Sequence, residues 1–518
     1  MTAPRRRPTP LTALAATALA MTIALAGCTQ EEPDKTPTGT TTSSDVAGPI
    51  PEGFETYYTQ DVSWESCGGG TYECAEVSAP MDWGDPESES ISLALQLYKA
   101  RGDAQGTVIL NPGGPGGSGI ELVGYAPMIF GSKLLDNYNL LGFDPRGVGQ
   151  SSAVACYDTT EMDRYLALTI TNVTDKTLPV YQEEADRFAE ACKDNTGELL
   201  GHVDTINSAR DMDLLRALMG DEKLHYFGYS YGTQLGATYA GLFPENVGRM
   251  ALDGAIDPRL TPFEQSLEQA QGFEHVMRRY VEDCLSTPDS CPLSGDVDDA
   301  MGEIADLLDS LTANPMQTDD PEGRVLTRSL AFYGLAYPMY APIIWPDLSS
   351  ALNLALHSRD GSELLDLSDA YFGREGGQYT DNQTEAFTAI NCLDSRSASD
   401  LATMEKEAQQ IIAAAPVMGE SFTYGGIGCA NWPYDAVTPD YDISAPGAAP
   451  ILVIGTTHDP ATPYKWSEGL ADTLESGVLI TNEGDGHGAY GQSNSCILNT
   501  VDDYFVDGTV PDTDPMCS

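Results

Sequence analysis

Ser230 stands in Gly228-Tyr229-Ser230-Tyr231-Gly232, with a glycine two residues to either side. A serine held at a sharp turn from a strand into a helix has its hydroxyl lifted over the sheet edge, and side chains at those flanking positions would crowd the turn. The helix N-terminus behind it favours developing negative charge. A serine attacks a carbonyl only when a base takes its proton and a third group orients that base. The chain holds six histidines: His202, His225, His275, His357, His458 and His487. His225 falls inside the run Leu224–Phe227 that precedes the serine, His275 and His357 fall in helical stretches, and His202 lies in a loop as a weaker choice. His487, in Gly484-Asp485-Gly486-His487-Gly488, follows the last strand-like run and is the expected base. Asp459, after the run Ile451–Gly455, is the expected orienting acid, in the chain order Ser, Asp, His. His458 beside it would have to come from a separate loop to serve both partners. Asp257, after Arg249–Leu252, is the alternative acid.

An oxyanion needs two backbone N–H groups aimed at it. Tyr231, next after the serine, supplies one, and Gly114 in Asn111-Pro112-Gly113-Gly114-Pro115-Gly116-Gly117 is the expected second. That glycine run carries neither the lysine of a phosphate-binding loop nor dinucleotide-binding spacing, so phosphate cradling is set aside.

These residues must be placed by a sheet. Strand-like runs at 91–98, 107–110, 138–143, 224–227, 249–252, 450–455 and 477–481 alternate with helical patterns such as 205–218. Strand, helix, strand in this order predicts a mostly parallel sheet with function at the carboxyl ends of its strands. From Pro258 to Asp440 helical patterns with proline breaks dominate, which predicts a large, mainly helical cap inserted before the last strands. The expected organisation is a signal at 1–27, a tether at 28–50, a core at 51–257, the cap at 258–440 and the rest of the core at 441–518.

Arg5, Arg6 and Arg7 precede an apolar run from Leu11 to Leu25 and then Leu25-Ala26-Gly27-Cys28. This order describes an export signal ending in a bacterial lipobox, with Cys28 lipidated and inserted in the membrane, facing the extracytoplasmic side. Ten further cysteines suit an oxidising compartment. Sequence neighbours give the pairs Cys67–Cys74, Cys156–Cys192, Cys284–Cys291, Cys392–Cys429 and Cys496–Cys517, although spacing does not fix connectivity. No C-x-x-C is present, and no metal or cofactor is expected. A net charge of −52 argues against nucleic acid as a partner and for a soluble surface, with a monomer expected.

Asn111–Gly119, Asp144–Ser151, Gly228–Gly236, Ala389–Asp394, Thr457–Pro463 and Gly486–Gly488 together resemble the actinobacterial exported tripeptidyl aminopeptidases and related envelope-anchored α/β-hydrolases of the prolyl aminopeptidase clan. The resemblance implies an α/β-hydrolase fold, a triad of Ser230, Asp459 and His487, and release of short peptides from free N-termini. Pro112 stands where more distant members carry a histidine, so that position is not essential to the chemistry. An exopeptidase must also bind a protonated amine, which calls for an enclosed carboxylate. Asp394 is the expected acid, with Thr462 either lining the pocket or simply shaping the turn after Asp459. A carboxylesterase acting on envelope or small-molecule esters is the alternative, since one triad serves both. A non-catalytic binding lipoprotein is the third possibility.

Overall fold

The computed structural model describes residues 48–518 apart from Ser493 and Thr513. Cys28, the signal and most of the tether lie outside the described residues. Ten strands form one sheet: β1 (Glu65–Cys67), β2 (Tyr72–Pro80), β3 (Ser90–Tyr98), β4 (Thr107–Asn111), β5 (Asn139–Phe143), β6 (Leu224–Tyr229), β7 (Val247–Asp253), β10 (Ile451–His458), β11 (Gly477–Asp485) and β12 (Met516–Cys517). A separate hairpin pairs β8 (Arg374–Glu375) with β9 (Gln378–Tyr379). The sheet order is β1-β2-β3-β5-β4-β6-β7-β10-β11-β12. Pairs from β1 to β5 are antiparallel; all pairs from β5 onward are parallel.

Both faces of the parallel part are covered, which is why its strands read as continuous apolar runs. Ile109, Tyr226, Leu252 and Val453 join the core on one face. Their neighbours Val108, Leu110, Phe227, Ala251, Leu452 and Ile454 join the core on the other. The alternation is the two-residue period of a strand.

Five helices bear on the site: α1 (Gly119–Gly124), α2 (Thr205–Leu218), α3 (Tyr231–Leu242), α4 (Pro262–Ser286) and α5 (Gln383–Asp394). The sheet neighbours β7 and β10 are separated in sequence by everything from Gly254 to Pro450, so the helices between them, α4 and α5 included, form an insertion between adjacent strands. Two further helices, Thr159–Leu166 and Leu178–Thr196, enter between β5 and α2. Disulfides join Cys67–Cys74, Cys156–Cys192, Cys284–Cys291, Cys392–Cys429 and Cys496–Cys517. Among the described residues no helix is long and apolar enough to cross a membrane.

The loop after β5 is fastened by a fully buried ion pair. Arg146 donates to both carboxylate oxygens of Asp211 on α2, at 2.8 and 2.7 Å, and to the carbonyls of Pro80, Met81 and His202. Trp83 Nε1 donates to the same carboxylate at 2.9 Å. Removing one partner of such a pair leaves the other charge buried and uncompensated. Arg146→Ala should therefore lower unfolding stability by roughly 3–5 kcal/mol, read as a fall in the urea midpoint at unchanged slope, and replacing Asp211 by leucine in the same chain should recover part of it.

Candidate active site

Ser230 lies between β6 and α3 with φ 54° and ψ −124°, a left-handed conformation that costs a non-glycine residue about 1–3 kcal/mol. The surroundings enforce it. A Cβ at Gly228 would lie 2.5 Å from the Gly232 carbonyl, and one at Gly232 would lie 2.8 Å from Asn111 Oδ1. Ser230 N–H donates to the Asp253 carbonyl at 2.9 Å, tying the turn to the end of β7. Although Ser230 occupies the N-cap position, its hydroxyl makes no capping hydrogen bond and stays available.

The glycine run lies against this turn. Asn111, buried at the end of β4, accepts the Gly113 N–H on Oδ1 at 2.9 Å, and the Gly113 carbonyl accepts from Gly117. Gly113 has φ 98°, and a Cβ there would come within 2.8 Å of the Ser230 Cβ and 3.2 Å of the Tyr231 nitrogen. Backbone alone fits. Among the described residues neither the Gly114 nor the Tyr231 N–H has an acceptor, so both are free to bind an oxyanion.

Asp459 and His487 follow β10 and β11, adjacent parallel strands, so their loops emerge side by side. His487 Nδ1 lies 2.9 and 2.8 Å from the two Asp459 oxygens. Asp459 is buried and accepts further bonds from Ala461 N–H, Thr462 N–H, Gly488 N–H and the Thr462 hydroxyl. With Nδ1 on the carboxylate, Nε2 is the nitrogen left for a substrate-side proton. The His487 ring also has its Cε1 edge over Gly254, where a Cβ would approach it to 3.1 Å. Gly254 follows Asp253, whose carbonyl holds Ser230, so imidazole and serine flank one turn. The insertion closes the other side: the Tyr340 carbonyl accepts the His487 N–H at 2.9 Å, and the two rings meet edge to face.

Burial alone pushes the His487 pKa down, but the charge and hydrogen bond of Asp459, with Asp253 behind, outweigh it and leave it above the ordinary 6.5. An imidazolium cannot accept a serine proton. The acid limb of kcat/KM should therefore fall away as pH drops through a midpoint above 6.5, a prediction that a pH profile on an uncharged ester checks.

The remaining sequence candidates are held elsewhere. His458 Nδ1 meets His275 Nε2 of α4 at 3.1 Å, His225 Nδ1 accepts the Arg249 N–H, and His357 Nε2 pairs with the Pro292 carbonyl. The His202 carbonyl serves Arg146, and Asp257 is ion-paired to Arg259 at 2.7 Å. Thr462 shapes the turn: it is buried with its hydroxyl 3.1 Å from Asp459 Oδ2 and 3.2 Å from His487 Nδ1, because the turn after β10 folds back onto its own carboxylate. Asp394, expected to take a substrate amine, accepts the N–H and hydroxyl of Thr205 at 2.9 and 2.5 Å.

Asp253 is a site residue that motif reasoning missed. Its buried carboxylate accepts the N–H groups of Ala489 and Tyr490 and so holds the loop after His487; burial pushes its pKa up to about 6 despite those bonds. Its position at the end of a parallel strand was the available signal. Among the described residues no three His, Cys, Asp or Glu side chains converge as metal ligands.

Residues 106–293 match the family model described as alpha/beta hydrolase fold, and residues 415–517 match that of TAP-like protein. The chain is 36% identical over 478 residues to the serine protease Hip1 of Mycobacterium tuberculosis, covering 88% of this chain and 91% of that one. It is 35% identical over 470 residues to carboxylesterase B of the same species, covering 88% and 90% of the two chains. It is also 30% identical over 488 residues to tripeptidyl aminopeptidase of Streptomyces lividans, covering 88% and 86%. The protein belongs to the α/β-hydrolase family that contains these proteases, carboxylesterases and tripeptidyl aminopeptidases, and it is a serine hydrolase.

Proposed function

We propose that Ser230 is the nucleophile, His487 its general base and Asp459 the group that orients and charge-balances the imidazole, in a peptidase that releases short peptides from free N-termini. The contact of His487 Nδ1 with both Asp459 oxygens, across the Asp253–Gly254 turn from a serine whose hydroxyl is not used as a cap, is the observation that carries this assignment. His487 takes the Ser230 proton as Oγ attacks the carbonyl. The Gly114 and Tyr231 N–H groups receive the oxyanion, the imidazolium passes its proton to the leaving amine, and water then hydrolyses the acyl-enzyme with His487 again as base.

Likeness to the Streptomyces and Hip1 enzymes supports a peptide substrate. Likeness of nearly equal strength to carboxylesterase B supports the second reading, an esterase. An aminopeptidase must recognise an ammonium group, whereas an esterase need not. On tripeptide anilides, acetylating the N-terminus should lower kcat/KM by at least about a hundredfold, the loss of a charge-assisted contact in an enclosed site. Equal rates on free and acetylated peptides, with faster turnover of short acyl esters, would favour the esterase.

The enzyme is further proposed to be exported and anchored through acyl chains on Cys28, each buried methylene contributing about 0.8 kcal/mol of membrane affinity. Metabolic labelling with an alkynyl fatty acid tests this: a Cys28→Ser chain that still labels sinks it.

A further inference from the structure

Helix α5 belongs to the insertion, yet both of its ends meet segments that supply the proposed oxyanion donors. At its start, a Cβ on Gly116 would lie 2.8 Å from the Gln383 carbonyl and 3.2 Å from the Phe387 nitrogen, so the glycine run rests on the first turn of α5. At its end, Asp394 Oδ1 accepts the Thr205 N–H at 2.9 Å, and Oδ2 accepts the Thr205 hydroxyl at 2.5 Å. The same Thr205 oxygen is 2.5 Å from the Tyr231 hydroxyl. The disulfide Cys392–Cys429 fixes α5 two residues before this carboxylate.

We infer that Asp394 is a positioning residue for the oxyanion hole, acting through Thr205 on Tyr231. The inference rests on the roles given above to Ser230 and Tyr231. Tyr231 is the first residue of α3, where no intrahelical bond restrains the N–H. The Ser230 carbonyl, in the same peptide plane, accepts the Thr233 N–H at 2.8 Å and the Thr233 hydroxyl at 2.6 Å, and the buried Tyr231 side chain is the second restraint on the direction of that N–H. An ionised Asp394 accepts a hydrogen bond from the Thr205 O–H, which leaves a Thr205 lone pair to accept from the Tyr231 hydroxyl. Tyr231 O–H, Thr205 O–H and the carboxylate then form one chain of a single polarity. Without the carboxylate, Thr205 is free to turn its proton toward Tyr231, and the buried phenol loses its acceptor.

The chain of one polarity is complete only with the carboxylate ionised, that is, above its pKa. Burial pushes the Asp394 pKa up to about 7, the two Thr205 bonds pull it down, and Asp204 at the start of α2 pushes it up again. Tyr231 of α3 and Tyr441 face it as neutral phenols. Arg396, two residues on, is turned away onto the carbonyls of Cys429 and Tyr434. Among the described residues the groups that act on Asp394 are Thr205 and Asp204, with no basic side chain. The hydroxyl chain is what holds it.

The test is steady-state kinetics of Asp394→Asn, Thr205→Val and Thr205→Ser on one uncharged ester and one tripeptide anilide with a free N-terminus. Asn cannot accept both Thr205 bonds, and Val removes the hydroxyl. Both should lower kcat roughly ten- to a hundredfold on both substrates, less than deleting an oxyanion donor outright, with KM within about twofold. Thr205→Ser restores the hydroxyl and should recover most of kcat. An Asp394→Asn effect confined to KM of the free peptide would overturn the inference and make Asp394 an amine-binding group. Unchanged kcat in Thr205→Val would overturn it as well, and that variant decides the matter should Asp394→Asn fail to fold. Fluorophosphonate labelling separates the two levels: absence of label at Ser230 in the wild type sinks the nucleophile assignment, whereas wild-type labelling rates in both variants sink only the role of Asp394.

Discussion

Ser230→Ala should lower kcat by at least about 10⁴-fold on ester and peptide alike while leaving the protein as stable as before. The expected size follows from what the hydroxyl does. With Oγ gone there is no acyl-enzyme, and the remaining N–H groups can only assist direct attack by water. The expected stability follows from the local structure. Alanine has the same Cβ, so the strain of φ 54° is unchanged, and no capping bond is lost because the Ser230 hydroxyl makes none. Surface-like changes of this kind stay within about 0.5 kcal/mol. Circular dichroism melts, turnover and fluorophosphonate labelling measure the three consequences. A variant that keeps more than about a hundredth of wild-type turnover would remove Ser230 from the mechanism.

The parts of the site legible in the sequence are those fixed by chain order and strand position. Ser230, Asp459 and His487 each follow a strand whose apolar run is unmistakable, and a parallel sheet delivers the ends of such strands to one edge. The glycine run was legible for a steric reason: only glycine lets backbone reach the elbow, as the position of Gly113 against Ser230 makes plain. For Thr462 both pocket lining and turn shaping stayed open, since motif spacing does not say whether a turn opens outward or folds onto its own aspartate, as this one does. Asp394 was noticed for its acidity, and its actual partner Thr205 is 189 residues away. Likewise, Asp253 reaches Ala489 across 236 residues. Such contacts are created by tertiary packing and leave no periodicity to read. The helices at 159–166 and 178–196 escaped for a different reason: strand–helix alternation places the sheet without requiring them.

Asp459→Asn should lower kcat by about 10⁴-fold with the fold intact. The asparagine is isosteric, so its effect depends on which atom faces which donor. The Oδ1 position receives two backbone N–H groups, from Ala461 and Thr462, and an amide NH₂ there would meet two donors with its own hydrogens. The Oδ2 position receives the Thr462 hydroxyl, which can rotate to accept, and a longer 3.3 Å bond from Gly488. The amide nitrogen therefore settles at the Oδ2 position, facing His487 Nδ1 at about the 2.8 Å seen for the carboxylate. There it donates to Nδ1, while the amide oxygen, 2.9 Å from Nδ1, is already taken by two backbone N–H groups, so the imidazole proton is shifted onto Nε2, the nitrogen that has to accept from Ser230. The base is thus present, correctly placed and in the wrong tautomer. Loss of the carboxylate charge acts in the same direction, because burial then pushes the His487 pKa down with less to oppose it. Nitrogen-15 NMR of the ring should report a proton on Nε2 in the variant and on Nδ1 in the wild type, and the acid limb of the residual activity should move to lower pH. Wild-type tautomer and turnover in Asp459→Asn would instead transfer the orienting role to the other carboxylate nearby, Asp253.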